Sequence, residues 1–190
     1  MKLIHCSDIH LDIPFGSIMS QDKSATRKQE LLGAFAQMVR FAATEDVKGI
    51  LITGGLVDSE HISRQSIERV YGAMRENPQI TFLMLPGNSY ESAYFSMEKD
   101  MPENFKIFSD LEKKFSIDNV DVYGVYEVSK LPLFDESQTN IVLTSGNINL
   151  RGFEDRGIDY LGIGLERTYR HGDLEGGGYF CAPGSLEALD

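Results

Sequence analysis

Apolar residues in the first half of the chain follow two alternating patterns, which predict strands that alternate with helices. Short apolar runs at residues 3–6, 49–53 and 80–85 are typical of buried strands. Between them, residues 24–45 and a second stretch that ends before Pro78 place apolar side chains at helical spacing. Strands and helices that alternate in this way indicate parallel pairing with right-handed crossovers.

The second half of the chain predicts mainly strands. Residues 115–117 and 120–126 flank the turn-like pair Asp118-Asn119, which indicates a hairpin or neighbouring strands. Further strand-like runs cover residues 140–144, 158–163 and 178–181. The polar residues 131–139 are typical of a loop. Because no repeat, low-complexity tract or linker interrupts the pattern, we expect one domain over residues 1–190.

The composition is typical of a globular protein in the cytoplasm. Of the 190 residues, 42% are hydrophobic and 25% are charged. No apolar run approaches the ~18 residues that a membrane helix needs, and charge and histidine interrupt any signal-peptide pattern at the N-terminus. We therefore expect no contact with a membrane. Two cysteines, Cys6 and Cys181, are too few for a disulfide framework or a zinc cluster, so we expect two reduced thiols.

The charge balance argues against nucleic acid as a partner. The chain has 18 Lys and Arg residues against 29 Asp and Glu residues, which gives a formal net charge of −11. A surface this acidic repels a phosphate backbone unless a local basic patch opposes the net field. The basic residues are scattered along the sequence, and no segment concentrates them.

Polar residues and glycines follow the first three predicted strands, where ligands of α/β sheets bind. The first strand ends at Ser7-Asp8-Ile9-His10, the second at Gly54-Gly55, and the third at Pro86-Gly87-Asn88. In an extended chain Asp8 and His10 point the same way, and a carboxylate beside an imidazole suits Mn, Fe or Zn. A D-x-H spacing alone is common by chance.

Six segments, taken together, match the motif order of one enzyme family. They are MKLIHCSDIHLDIPF, LITGGLVD, LPGNSYES, TSGNI, DYLGIGLER and APGSLEALD. These segments resemble motifs of the calcineurin-like metallophosphoesterases, in the branch of SbcD-type DNA-repair exonuclease subunits and their YhaO-like relatives. The resemblance covers nearly all of the chain. It implies an α/β sandwich of two facing mixed sheets flanked by helices, here without a cap domain.

The family's motifs imply a two-metal site, of which this sequence keeps only a part. By the resemblance, Asp8 and His10 correspond to ligands of one ion, and Asn88 to a ligand of the other. Gly55 stands where the family has the aspartate that bridges the two ions. The positions where the family has histidines are Ser89, Ser145, Leu165 and Arg167.

These replacements predict the loss of two-metal chemistry. Two divalent ions held about 3.5–4 Å apart repel each other, and a bridging carboxylate makes that separation tolerable. Gly55 has no side chain for this role, and Arg167 brings a fixed positive charge that we expect to pair with Asp8. We expect no resident cofactor, or at most one weakly held Mn, Mg or Zn ion at Asp8 and His10.

The third ligand of such an ion would come from nearby side chains. The candidates are Asp12, Asp58 and His61. His5 lies inside the first predicted strand, where a packed core histidine is expected, and Cys6 beside it is expected to be an unreactive buried thiol.

Three functions are consistent with this sequence. The first is a degenerate phosphoesterase domain that acts as a binding or assembly module, with an unknown protein or a second copy as partner. The second is an active metal-dependent phosphoesterase or DNA exonuclease with a site rebuilt around Asp8, His10, Asp58 and Asn88. The third is a phosphate or nucleotide sensor in which Arg167 holds the anion.

Overall fold

A computed structural model describes residues 1–15, 20–58 and 60–186. The last four residues of the APGSLEALD segment, 187–190, lie outside the described residues. In the described part of the chain, three helices are α1 (Gln21–Thr44), α2 (Arg64–Arg75) and α3 (Ser89–Met97). The strands are β1 (Lys2–Cys6), β2 (Val47–Thr53), β3 (Thr81–Leu85), β4 (Phe105–Ile107), β5 (Lys114–Ile117), β6 (Val120–Gly124), β7 (Thr139–Ser145), β8 (Tyr160–Gly164), β9 (Arg170–Asp173) and β10 (Tyr179–Ala182).

The strands form two sheets. The first has the order β1-β2-β3-β4, and its strands are parallel throughout. The second has the order β5-β6-β7-β8-β10-β9 and is mixed, because β5 and β9 run antiparallel to their neighbours. The predicted α/β architecture with parallel crossovers in the first half is therefore confirmed, as is the predicted hairpin of β5 and β6.

The sheets face each other across an apolar layer. Leu51 and Leu83 of the first sheet pack in one cluster with Val122, Ile141 and Leu143 of the second. Neighbouring residues along β2 and β3 point the other way, because side chains alternate along a strand. Those residues form a second cluster with α1 and α2, which cover the outer face of the first sheet.

Among the described α-helices and strands, α3, β4 and β9 were not predicted from the sequence. Strands β4 and β9 each lie at an edge of a sheet and have three and four residues. Edge strands are short and partly solvated, so they lack the apolar runs that mark buried strands.

Among the described residues, no helix combines the length and the apolar character that crossing a bilayer requires.

Candidate functional site

The ends of β1 and β2 meet at one edge of the first sheet. Beyond the strands, the amide of Asp8 donates to the carbonyl of Gly54 at 3.2 Å, and that of His10 to Gly55 at 2.6 Å. The second sheet joins them through the amide of Leu165, which donates to the Ser7 hydroxyl at 3.3 Å. The structure therefore brings together the predicted site residues at the ends of β1, β2 and β8.

Asp8 and His10 contact each other, as the sequence predicted, but the backbone between them is not extended. Both residues lie in the left-handed region, with φ of 52° and 49°. His10 Nε2 lies 3.3 Å from Asp8 Oδ1, and the Ser7 hydroxyl donates to the other carboxylate oxygen. Asp8 is only 2% exposed. The carboxylate is therefore held by two neighbours of its own segment.

Gly55 leaves no room for a side chain. A Cβ atom built on its backbone would lie 2.9 Å from Asp8 Cα and 3.1 Å from His10 Nε2. Its φ of 65° is also one that residues with a Cβ rarely adopt. The place of the family's bridging carboxylate is thus filled by the backbone of Asp8 and the ring of His10.

The carboxylate of Glu91 fills a cradle of backbone amides beside Gly55. One oxygen accepts from the amides of Leu56 and Val57 at 2.8 and 3.2 Å. The other accepts from those of Gly55 and Gly87 at 3.2 and 2.7 Å. Glu91 is 1% exposed, and these four hydrogen bonds tie the end of β2 to the end of β3.

Burial and the cradle act on Glu91 in opposite directions. Burial raises the pKa of its carboxyl, and the hydrogen bonds from the amides of Gly87, Val57, Gly55 and Leu56 lower it by less. The sequence analysis missed this residue. The spacing Asn88-x-x-Glu91 is that of a capping box at the start of a helix. This signal predicts that the Glu91 side chain accepts a hydrogen bond from a backbone amide near the start of α3.

Asn88, the predicted ligand of a second ion, has a structural role. Its Oδ1 accepts from the amide of Glu91 at 2.9 Å and so caps the N-terminus of α3. Ser89 is the first residue of that helix and is exposed. Asn88 is therefore the N-cap of α3.

Leu165 covers the ends of β2 and β3 where the family has a histidine. Its Cδ2 lies 3.0 Å from the Cβ position of Gly87 and 3.4 Å from that of Gly54. Leu165 has a φ of 59°, which is strained for a residue with a branched side chain. Ser145, another replaced position, ends β7 and is half-buried.

The predicted pair of Arg167 with Asp8 is not formed. In the part of the chain that the structure describes, the ion-pair partner of Asp8 is His10. Arg167 is exposed, whereas the Asp8 carboxylate is buried against Ser7 and His10. Moving an exposed guanidinium from water to this buried carboxylate costs desolvation free energy, and the carboxylate already has hydrogen-bond donors.

The candidates for a third metal ligand are engaged with other residues. Asp58 Oδ1 lies 3.0 Å from His61 Nδ1. Asp12 Oδ2 accepts from the amide of Ser63 at 2.8 Å. The pKa of the Asp12 carboxyl is lowered overall. Burial raises it, but the Ser63 amide, the hydroxyls of Ser66 and Ser63 and the charge of Lys28 together lower it by more. Over residues 1–15, 20–58 and 60–186, no three His, Cys, Asp or Glu side chains converge in a group that could hold a metal ion.

His5 and Cys6 belong to the core, as the sequence predicted. His5 Nδ1 lies 2.8 Å from the Tyr160 hydroxyl, and Nε2 lies 2.7 Å from that of Thr53. Burial lowers the pKa of His5 to about 3 and raises that of Cys6 to about 12. The imidazole is therefore neutral and bridges the two sheets, and the thiol is unreactive.

Comparison with known proteins agrees with this fold. The DNA double-strand break repair protein Mre11 of Sulfolobus acidocaldarius is 25% identical over 142 residues, which are 71% of this chain and 36% of that protein. The chain thus spans about a third of the curated relative's length.

Two solved structures are also similar. The structure of TT1561 of Thermus thermophilus has a TM-score of 0.60 at 12% identity and covers 97% of this chain and 89% of that one. That of the Pseudomonas putida nuclease MPE has a TM-score of 0.46 at 11% identity, with 94% and 72% covered. The family model described as calcineurin-like phosphoesterase matches residues 1–182, and the chain belongs to this family.

Proposed function

We propose that the chain is a degenerate calcineurin-like phosphoesterase domain that acts as a binding or assembly module and does not hydrolyse phosphoesters by two-metal catalysis. The observation that carries this proposal is the closed position at Gly55, where a Cβ atom would lie 2.9 Å from Asp8 Cα. The position has no space for a bridging carboxylate. Without that carboxylate, two dications are not held close together.

The donor set supports the same proposal. Asn88 Oδ1 caps α3, and the positions that hold histidines in the family are Ser89, Ser145, Leu165 and Arg167. Catalytic zinc usually has three protein ligands, and Asp8 with His10 supplies two. A two-metal set does not fit these residues. One weakly held Mn, Mg or Zn ion is the most that they offer.

A protein partner or a second copy of the chain fits the charge better than nucleic acid does. Mre11 is named as a DNA double-strand break repair protein, and this chain matches about a third of its length. The net charge of −11 opposes a phosphate backbone. We therefore propose that this chain shares its fold with the SbcD and Mre11 branch, and that its binding partner is a protein.

The other two functions are less well supported. A phosphate sensor needs a free set of donors, and the amide cradle at Gly55 and Gly87 already holds the carboxylate of Glu91. Arg167, which would hold the phosphate, is exposed. A rebuilt hydrolase around Asp58 needs that carboxylate beside Asp8, and Asp58 pairs with His61 instead.

Turnover of bis-p-nitrophenyl phosphate with Mn²⁺ tests the proposal. We expect a rate that equals the background, and that neither EDTA nor Asp8→Ala changes. Turnover that EDTA abolishes and that Asp8→Ala removes would show a working metal site. Sedimentation equilibrium and pull-down with the intact chain then test assembly.

A further inference from the structure

A pocket of about 660 Å³ lies beside α3, and neither Asp8 nor His10 is among its lining residues. Its walls are α3, the segment after that helix, the end of β4 and Tyr126. Pockets of roughly 300–1,000 Å³ hold small organic molecules in other proteins. Of the segments that resemble motifs of the phosphoesterase family, only LPGNSYES contributes to this pocket, through Pro86 and Ser92.

The base of the pocket is apolar. Phe95 and Phe108 are almost fully buried there, and Ile107 and Met101 are half-buried beside them. A ligand that fills the pocket therefore removes apolar surface of its own from water, at roughly 25 cal/mol per Å².

Three of the side-chain hydroxyls in the pocket present acceptors to a ligand. The hydroxyl of Ser92 donates to the Asn88 carbonyl at 3.1 Å, and that of Ser96 to the Ala93 carbonyl at 2.8 Å. The Tyr126 hydroxyl donates to the Pro86 carbonyl at 2.8 Å. Each hydroxyl proton is thus in use, and what remains toward the pocket is an oxygen lone pair.

Ser109 is the exception. Its hydroxyl oxygen accepts from the amides of Leu111 and Glu112, at 3.3 and 3.1 Å, and keeps its own proton. A single hydroxyl donor at the rim does not change the balance of the pocket, which is strongly toward acceptors.

The charged residues of the pocket are both acidic. They are Glu98 and Asp110, and among the residues that the structure describes no Lys, Arg or His lines the pocket. Glu98 has a partner, since Arg64 Nη1 lies 3.2 Å from its carboxylate. Asp110 is exposed and takes part in no ion pair within the described ranges. A ligand cation at this rim would find an uncompensated carboxylate.

We propose that this pocket binds a small organic amine, with its apolar body against Phe95 and Phe108 and its ammonium group between Asp110 and the serine oxygens. An ammonium group supplies three donors and one positive charge, which match a pocket of acceptors with an unpaired acid. The proposal does not depend on the proposed function, because none of these groups belongs to the Asp8 and His10 site.

An NMR titration of the ¹⁵N-labelled chain with 4-phenylbutylamine tests this inference. Two matched probes, 4-phenylbutanol and 4-phenylbutyrate, have the same apolar body with a neutral or a negative end. We expect saturable shifts at the amides of Ala93, Ser96 and Asp110 with the amine, at least fivefold weaker binding of the alcohol, and none of the acid. Equal binding of the amine and the alcohol, or no shifts near α3, would overturn the proposal.

Two variants locate the site. We expect Asp110→Asn to weaken amine binding about fivefold, the upper range for an exposed ion pair, and Asp118→Asn, the same change in a distant turn, to leave it unchanged. Ala93→Leu fills the pocket from the exposed face of α3 and abolishes binding. Its control, Ala43→Leu on the exposed face of α1, does not. Unchanged binding in both Asp110→Asn and Ala93→Leu would also contradict the proposal.

Discussion

The Cβ position of Gly55 lies 2.9 Å from the Cα of Asp8, closer than real Cβ atoms approach a backbone atom. The two residues follow neighbouring parallel strands. Hydrogen bonds from the Asp8 amide to the Gly54 carbonyl and from the His10 amide to the Gly55 carbonyl hold the two segments together. The backbone around Gly55 therefore leaves no room for a Cβ atom. A single substitution does not restore the family's bridging carboxylate.

Alanine at Gly55 tests the close approach directly. Gly55 and Gly146 both have positive φ, 65° and 89°, but a Cβ atom at Gly146 meets nothing within 4 Å. We expect Gly146→Ala to cost about 1 kcal/mol of unfolding free energy, from φ alone. Gly55→Ala adds overpacking, so we expect a further ~1–3 kcal/mol. Urea denaturation measures both, and equal costs would show that the position is open.

Loss of the Glu91 carboxylate leaves four buried amides without an acceptor. We expect Glu91→Ala to cost more than about 3 kcal/mol, because each unpaired buried donor carries a desolvation penalty. Acetate matches the atoms removed, so 100 mM sodium acetate raises the melting temperature of Glu91→Ala above its value in sodium chloride. The wild-type chain shows no such difference.

The amide of glutamine provides a finer test of the same cradle. In Glu91→Gln one oxygen still accepts, while the NH₂ group faces two amide donors, so we expect a loss of about 2 kcal/mol. Glu136→Gln makes the same change at an exposed position and is expected to be neutral. Similar stabilities of these two variants, or no effect of acetate on Glu91→Ala, would refute the role of Glu91.

Asn88 is expected to behave as a helix cap. Asn88→Ala removes the acceptor for the Glu91 amide and costs about 1 kcal/mol, as we expect for Ser63→Ala at the cap of α2. Asn88→Asp retains the cap and keeps the stability. Melting curves with and without Mn²⁺ separate this role from metal binding. Stabilisation by Mn²⁺ in the wild-type chain that is lost in Asn88→Ala would identify a ligand.

Burial of a neutral His5 makes stability depend on pH. The pKa of His5 is about 3 in the folded chain and about 6.5 in the unfolded chain. Between these values the unfolded chain binds more protons than the folded chain. The free energy of unfolding is therefore at its full value well above pH 6.5 and falls as the pH drops below it. From pH 7 to pH 5 we expect a loss of about 2 kcal/mol.

The variant His5→Gln isolates this contribution from that of the carboxylates. Its amide still spans the hydroxyls of Tyr160 and Thr53 and does not titrate. Urea denaturation of both chains at pH 7 and pH 5 gives the difference between their slopes with pH. Parallel pH profiles would mean that His5 is not buried as a neutral base.

The buried elements were readable from the sequence because their side chains face the same environment along their length. Strands β2 and β3 are apolar on both faces, since one face packs on helices and the other on the second sheet. Helix α1 shows its buried face in Leu31, Phe35 and Val39. Helix α3 was missed because only Glu91 and Phe95 of its residues are buried, which is too few for a helical pattern.

The positions of the site segments in the fold were predictable from the sequence, and the contacts between them were not. The segments that contain Asp8, His10 and Gly55 were correctly placed at the ends of neighbouring strands. The distance between Gly55 and Asp8, the role of Glu91 and the partner of Asp8 depend on how separate loops pack. Arg167 illustrates this, because an aligned position does not fix where a long side chain lies.

The central claim is that the residues around Asp8, Gly55 and Asn88 do not hold two divalent ions. Crystals of the intact chain grown with Mn²⁺ test it most directly, through anomalous difference maps recorded near the manganese edge. We predict no pair of peaks at this site, and at most one weak peak beside Asp8 and His10. Two strong peaks about 3.5–4 Å apart, within bonding distance of Asp8 and Asn88, would contradict the account.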